Sequence, residues 1–523
     1  MYQCQAGQSE FLLPFGGTLD PTNRWVRLAQ VVPWAVAESA YVASFKGPRG
    51  QRALPARMAL GTLIIQARCG WTDRETVEQI RENPYLQYFL GFREFVQGVP
   101  FDASMLVHFR SRFGLELIGQ INEALIAAHH ERAVPTASAM EQPCAAVASD
   151  DDDDSDDDDS DDAGSSAPSA QPRVESASAA AGTLIIDATC TPADITYPTD
   201  LKLVNHAREI TEQVIDLLHA PLRSRESKPR TYRRTARKQF LTAAKSKRLS
   251  RSGWRTAIGK QLRFLRRNFA TISHLLARSD VTLHLLPPAL YRKLLVAAEI
   301  DRQQTLMYRE RSHRVDERIV NLAQPHVRPI VRGKAGTPVE FGAKISASTA
   351  HGFATLDRLS WSAFNESSDL SLQAERYRTR HGHYPATIHA DGIYRTRANR
   401  QWCTARGIRL AGPPLGRPPS DLTQAAALAR HIRADECARV PIEGVFGVLK
   451  RRYGLDRVMA KLAHTSESVI AIAFLVLNLA MILWLSMDSA ATSIGHQWLR
   501  LILSFYKLHS VTNTRMGPLG GNA

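Results

Sequence analysis

The run GTLIIDATC, Gly182 to Cys190, decides how the second half of this chain is read. Before it, residues 134–181 hold Ala, Ser, Pro and Asp in abundance and no aromatic side chain. Such a segment buries too little apolar surface to order itself, so it predicts a disordered acidic linker. After it comes a short β-rich run carrying Asp187, and the helical spacing of the first 130 or so residues stops. VEFGAKISAST (Val339–Thr349) and GFATLDRLSWSA (Gly352–Ala363) predict a hairpin turning near His351-Gly352. DLSLQAERYRTRHG reads as a helix, ATIHADGIY as a strand reaching Asp391, RTRANRQWCTARG as a helix, IRLAG as a strand and the segment around Glu443 as a helix. Strands and helices in this order make a mixed α/β sheet. About 140 residues interrupt it between its first two strands.

Upstream, RALPARMALGTLIIQARCG has apolar residues at helical spacing and stops at Gly70. In TDRETVEQIRENPYLQYFLGF, Thr72 or Asp73 predicts an N-cap and Asn83-Pro84 a break. FDASMLVHFRSRF opens on Asp102 or Ser104 and sets Met105, Leu106, Phe109 and Phe113 against His108, Arg110 and Arg112. Short helices with a basic face suit a helix-turn-helix-like DNA-binding unit or a plain helical bundle.

The 523-residue chain carries a formal charge of +15, with eleven aspartates between Asp150 and Asp162 and therefore an excess of +26 elsewhere. That imbalance points to a polyanionic partner, nucleic acid first. It peaks between Arg223 and Arg267, which hold 17 Lys or Arg and one acid, Glu226. Arg233, Arg234, Arg237 and Lys238 lie there, with Tyr232, Phe240, Trp254 and Phe264 interleaved, read as helix-core residues in preference to base-stacking platforms. The acidic run reads as a solvating spacer or, alternatively, as a mimic of DNA on the basic surface.

Six scattered cysteines form no C-x-x-C pair, which argues against a zinc site or disulfide framework and fits a reducing cytoplasm. No basic segment followed by a long apolar run opens the sequence, so no signal peptide is expected. VIAIAFLVLNLAMILWL, Val469 to Leu485, is long enough to approach a membrane span. Its isolation and its internal Asn478 favour a buried helix packed on the sheet, capped by Thr465 or Ser466, and no membrane association.

Three acids follow apolar segments: Asp187, Asp391 and Glu443. Alone, each has a bland role as strand cap, turn residue or surface acid. Brought together they would repel one another unless a divalent cation lay between them, and carboxylate oxygens suit Mg²⁺. Two such ions serve phosphodiester chemistry. Glu443 and Lys450, seven positions apart, come within about 20° of one helix face. The basic cluster Lys450, Arg451, Arg452 would then meet DNA phosphate beside the metal.

These residues resemble the DDE transposases of bacterial insertion sequences, in the branch whose last motif is Y-x2-R-x3-E-x6-K. RVPIEGVFGVLK supplies Arg439, Glu443 and Lys450 at the matching offsets; Glu436 stands where the motif has tyrosine. IIDATCTPADITYPTD is similar to the segment around the family's first aspartate, and HADGIYRTRANRQWCTARGIRLAGPPLGRP to that around its second. The resemblance implies an RNase H-like fold, with Asp187, Asp391 and Glu443 as catalytic ligands of Mg²⁺ or Mn²⁺, two ions in all. It implies cleavage at inverted-repeat ends of double-stranded DNA and strand transfer into target DNA by a homo-oligomer assembled on DNA. Lys450 and Arg439 would hold phosphate. Pro441 suggests a helix start that leaves Arg439 outside. Alternatives are a nuclease without strand transfer and an inactive DNA-binding repressor.

The resulting division is a helical DNA-binding domain over 1–133, a linker over 134–181, a catalytic domain over 182–485 with a basic helical insertion at about 200–335, and a tail over 486–523.

Overall fold

The structure is a computed structural model that describes residues 13, 17–45, 53–133, 182–246, 248–278, 280–331, 339–416, 419 and 421–488. The acidic linker and the segment beyond residue 488 lie outside the described residues.

Local chemistry sets the first helices. α1 (Arg24–Val31), α2 (Trp34–Ala43) and α3 (Ala56–Cys69) come first, and α3 stops where Gly70 turns left-handed at φ 72°. Thr72 caps α4 (Asp73–Glu82) by accepting the Glu75 N–H, and Asn83 caps α5 (Pro84–Phe89) with Pro84 in its first turn. α6 (Met105–Arg112) buries Leu106 and Phe109; neither expected cap holds it, since Asp102 accepts instead from the Ser104 N–H and Ser104 is already helical. α7 (Leu115–Ala133) completes the helical start.

The sheet contains β1 (Thr183–Pro192), β2 (Arg328–Val331), β3 (Val339–Ala350), β4 (Phe353–Ser360), β5 (Thr387–His389) and β6 (Arg409–Leu410). β3 is antiparallel to β1, while β5 runs parallel to β1 and β6 parallel to β5. β4 and β2 share the outer edge of β3 in succession, so the order across the sheet is β4/β2-β3-β1-β5-β6. The β3–β4 hairpin turns through His351 (φ 51°) and Gly352 (φ 85°), two left-handed residues as a tight two-residue turn requires.

Between β1 and β2 stand α8 (Asp200–Leu218), α9 (Arg233–Lys245), α10 (Arg251–Leu276) and α11 (Pro288–Glu310), with apolar cores of their own built on Val204, Leu262 and Ile300 and on Ile215, Leu275 and Leu294. The interleaved aromatics are not its buried core: Tyr232 is exposed, and Phe240, Trp254 and Phe264 are half-buried.

α12 (Leu370–His381) and α13 (Arg397–Thr404) cover one face of the sheet, against Leu184, Ile186 and Ile388. The other face packs on α14 (Leu422–Tyr453), α15 (Ala463–Asp488) and the N-terminal helices in one continuous core. Alternation along β1 therefore sends Leu184 and Ile186 to the α12 side, and Ile185 and Asp187 to the α14 side.

α15 contains the apolar run and is 67% buried over its most apolar stretch, as a core helix requires. It starts at Ala463, earlier than the expected Thr465 or Ser466 cap; those hydroxyls donate instead to the carbonyls of Leu462 and Ala460. Asn478 explains why a polar residue survives inside. Its amide accepts the Ala354 N–H at 2.9 Å and donates to the Ala354 carbonyl at 2.7 Å and to Asn122 Oδ1 at 2.9 Å. One side chain so pins α15 to β4 and α7, with its buried polar atoms satisfied.

Candidate active site and nucleic-acid interface

Asp187 sits in the middle of β1, opposite Ala347 of β3. β1 outruns its parallel neighbour: pairing with β5 stops at Ile185–His389, so past that edge β1 continues paired with β3 on its other side and carries Asp187 beyond the end of β5. Asp391 arrives from the other side. β5 ends at His389, and Asp391 caps a 3-10 turn over Gly392–Tyr394 by accepting the Gly392 N–H at 2.6 Å.

α14 supplies the third acid. It is one 32-residue helix that runs through Pro441, so the expected start at that proline is wrong. The proline costs one intrahelical bond, which packing of Ile442, Phe446, Leu449 and Tyr453 into the core outweighs. Arg439 consequently lies inside the helix, one turn before Glu443. Its guanidinium donates to Glu443 Oε1 at 2.6 Å and to Asp187 Oδ2 at 3.3 Å.

Two carboxylates from distant parts of the chain thus meet on one cation. Asp187 is largely buried, its side chain 16% exposed, whereas that of Glu443 is 54% exposed. Burial pushes the Asp187 carboxyl up to about 6, and the charges of Glu366 and Asp391 push the same way; the Ala188 N–H and Arg439 oppose them. Asp391 is therefore within electrostatic reach of Asp187. Among the described residues, however, no three His, Cys, Asp or Glu side chains form a group able to hold a metal ion. Asp187 and Glu443 share Arg439, and Asp391 acts on Asp187 through its charge, so the three acids do not form a ready cage.

Sequence reasoning missed Glu366, whose charge Asp187 feels. It follows the β4 exit in a 3-10 turn and pairs with Lys344 of β3 at 2.7 Å. It also missed Tyr394, a buried phenol held above its usual range by burial first and by Glu366 and Asp187 next. The third omission is Asp435, buried on α14, which accepts from both guanidinium nitrogens of Arg409 and from the Gly412 N–H. Its local sequence, RADEC, looks like any helix surface.

The expected DNA contacts divide by what already occupies them. Arg110 is spent inside the fold on Asp73 and Gln66, with its side chain 12% exposed, so it does not present a free cation. Arg112 is exposed, its guanidinium 4.0 Å from the Phe45 ring centre. Arg233 makes a two-pronged pair with Asp216 at 2.7 and 3.0 Å. Arg234, Arg237 and Lys238 are exposed on α9, three and four positions apart and so on one face. Lys450 is half-buried, and Arg451 and Arg452 are exposed in the last turn of α14.

Comparison with known proteins identifies two segments. Residues 388–480 match the model of a transposase DDE domain, and residues 15–112 match a transposase domain called DUF772. The first contains Asp391, Arg439, Glu443 and Lys450; Asp187 lies outside both. Over 121 residues, 23% of this chain, the sequence is 36% identical to "Uncharacterized protein ORF8 in nfe locus" of Rhizobium meliloti. That match spans 56% of the relative's length. No solved structure matches the chain.

Proposed function

We propose, from the premise that this chain carries the domains of a DDE transposase of an insertion-sequence family, that it cuts DNA at the ends of its element and joins the freed 3′-hydroxyl to target DNA. The transposase family implies DNA binding, and its DDE domain implies divalent-metal dependence in general. The observation that carries the finer reading is the meeting of Asp187 and Glu443 on Arg439 beside Asp391, at the edge where β1 outruns β5. The strand order, with β3 antiparallel and β5 parallel to β1, supports an RNase H-like core.

The donor set suits Mg²⁺ or Mn²⁺. It is made of hard oxygens, and a bound cation would offset the burial, and the Glu366 and Asp391 charges, that raise the proton affinity of Asp187. Asp187, Asp391 and Glu443 would be the ligands, Glu443 turning from Arg439 to reach the others from its exposed position. Bound ions would supply Lewis acidity for phosphodiester displacement. Arg439 then has its guanidinium released toward a phosphate next to the scissile bond, with Lys450 about three turns further along α14. In cleavage, a water oxygen bonds phosphorus and the 3′-oxygen leaves; in joining, that 3′-oxygen attacks a target phosphate and displaces a target 3′-oxygen. Two element ends require two such sites, so the working form is a homo-oligomer on DNA, in the cytoplasm and on the nucleoid.

The test is a strand-transfer assay with labelled element ends, a supercoiled target plasmid and Mg²⁺ or Mn²⁺. Joined product is expected. Cut ends without joining would favour a nuclease, and binding without cutting a repressor.

The basic face of α9 makes a separate prediction. Replacing Arg234, Arg237 and Lys238 together by Gln flattens the dependence of log affinity on log salt by about 0.9 for each phosphate no longer neutralised, up to about 2.7 for duplex DNA. Arg233→Gln, whose guanidinium is held by an Asp216 carboxylate that also pairs with Lys228, changes the slope less than loss of any one of those three. Equal slopes for the triple variant and the unmodified protein would reduce this face to a solvated surface.

A further inference from the structure

We infer that the groove between the start of α8, the start of α10 and the end of α11 binds an unpaired DNA strand; this rests on the DNA reading above and adds a second kind of DNA contact to it. The groove is a cavity of about 1060 Å³. Trp254 and Ile258 of α10 face Met307 and Tyr308 of α11 across it, and Arg251, Arg255 and Arg311 join the lining.

Its chemistry is that of a stacking platform with a cationic rim. Arg255 lies over the Tyr308 ring, its guanidinium carbon 4.1 Å from the ring centre, a cation–π contact already made. Gly259 makes room for that ring: a Cβ there would come within 2.6 Å of the Tyr308 hydroxyl oxygen. A glycine inside a long helix costs stability relative to alanine, and here the close approach of Tyr308 is the compensating contact. Trp254 is half-buried, with its apolar surface on the cavity instead of in a core. The acid of the lining, Asp200, already accepts from Gln304 at 2.8 Å and from Arg318 at 2.7 Å, so it does not offset the remaining arginines.

An adjoining cavity of about 200 Å³ shares Pro198, Thr199, Asp200 and Arg318 with the first and adds Tyr197, which is 70% exposed and edge-on to Phe341 at 5.6 Å. Through the residues that the two cavities share, Tyr197 lies next to the groove that Trp254 and Tyr308 line, with guanidinium groups beside it. A duplex has its base faces stacked inside and gains nothing from recessed aromatic rings; an unpaired strand gains stacking from each ring and ion pairing from each phosphate. The volume exceeds what one small ligand fills, which suits successive nucleotides. Strand opening at a cut element end would supply such a segment.

The experiment compares a labelled oligo-dT of about a dozen nucleotides with a duplex of equal length, titrated against the full chain by fluorescence polarisation. Trp254→Ala is expected to weaken single-strand binding about tenfold and to leave duplex binding within about twofold, while Trp254→Phe keeps most of the single-strand affinity. An equal loss on both DNAs, or no loss on either, overturns the inference. Should Trp254→Ala fold poorly, photocrosslinking of the unmodified protein to iodouracil-containing oligonucleotide decides. Adducts on Trp254, Tyr308 or Tyr197 are expected, and adducts confined to other regions overturn it. The duplex arm separates the two readings. Absence of duplex binding by the unmodified protein sinks the DNA reading and this inference with it; intact duplex binding with an indifferent Trp254 sinks the groove alone.

Discussion

Asp187→Asn abolishes cleavage of element-end DNA, by about a thousandfold or more, and leaves the metal-free chain no less stable at neutral pH. Both halves of that expectation come from one environment. As a proposed ligand, Asp187 loses the anionic oxygen on which charge stabilisation at the cut phosphate depends. As a buried carboxylate with its proton affinity raised to about 6, it is costly to ionise within the fold. The direction of linkage follows from that rise. Stability contributed by the protonated carboxyl is fully present below the ordinary aspartate range and is lost as pH rises through about 6. Asparagine copies the neutral form at nearly equal volume. At pH 8 the variant should therefore gain on the order of 1–2 kcal/mol in the metal-free state, less whatever the bond to Arg439 contributes. Its melting temperature should also lack the component that falls between about pH 4 and 6 in the unmodified protein. A cleavage assay and melting curves across pH check both halves. A variant that still cuts, or one that melts well below the unmodified protein at pH 8, is incompatible with this account.

Arg409→Ala is the second large effect, and it acts on stability first. Asp435 is 5% exposed and depends on Arg409 for two of its donors, with the Gly412 N–H as the third. Removing Arg409 leaves a buried carboxylate with a single donor, which costs about 3 kcal/mol or more. The pair also fastens α14 to β6, and the Asp435 carbonyl accepts from the His389 ring at 3.2 Å on β5. Glu443 lies eight residues further along the same helix, about 12 Å away, so loosening this anchor shifts the proposed ligand as well. Urea unfolding of Arg409→Ala and of the double variant Arg409→Met/Asp435→Leu distinguishes an anchor from a catalytic group. The double variant, with no charge left buried, should recover much of the loss. A cost under about 1 kcal/mol for the single change would show that α14 is held by its apolar face alone.

Much of the fold could be read from short stretches of sequence. Gly70, Thr72, Asn83-Pro84 and His351-Gly352 act within four residues of themselves, and each ends, starts or turns the chain where such chemistry predicts. Pro441 shows the limit of that logic. A local rule stops a helix there, yet Ile442, Phe446 and Leu449 bury enough surface against the sheet and α15 to carry α14 through it. Asp187 shows another. Its run predicts a strand, but how far that strand outlasts β5 is a property of pairing between residues some two hundred positions apart.

From the sequence alone came the acids, the basic excess and most of the helices and strands, because periodicity, caps and turns depend on neighbours within a turn or two. The tertiary structure decided which of those charges remain available to a ligand. Arg110 is taken up by Asp73, 37 residues away, and Arg439 is placed between Asp187 and Glu443 across a separation of 252 residues from the former. The physical reason is that a charge acts through whatever lies within a few ångströms of it, and only the folded chain determines what that is.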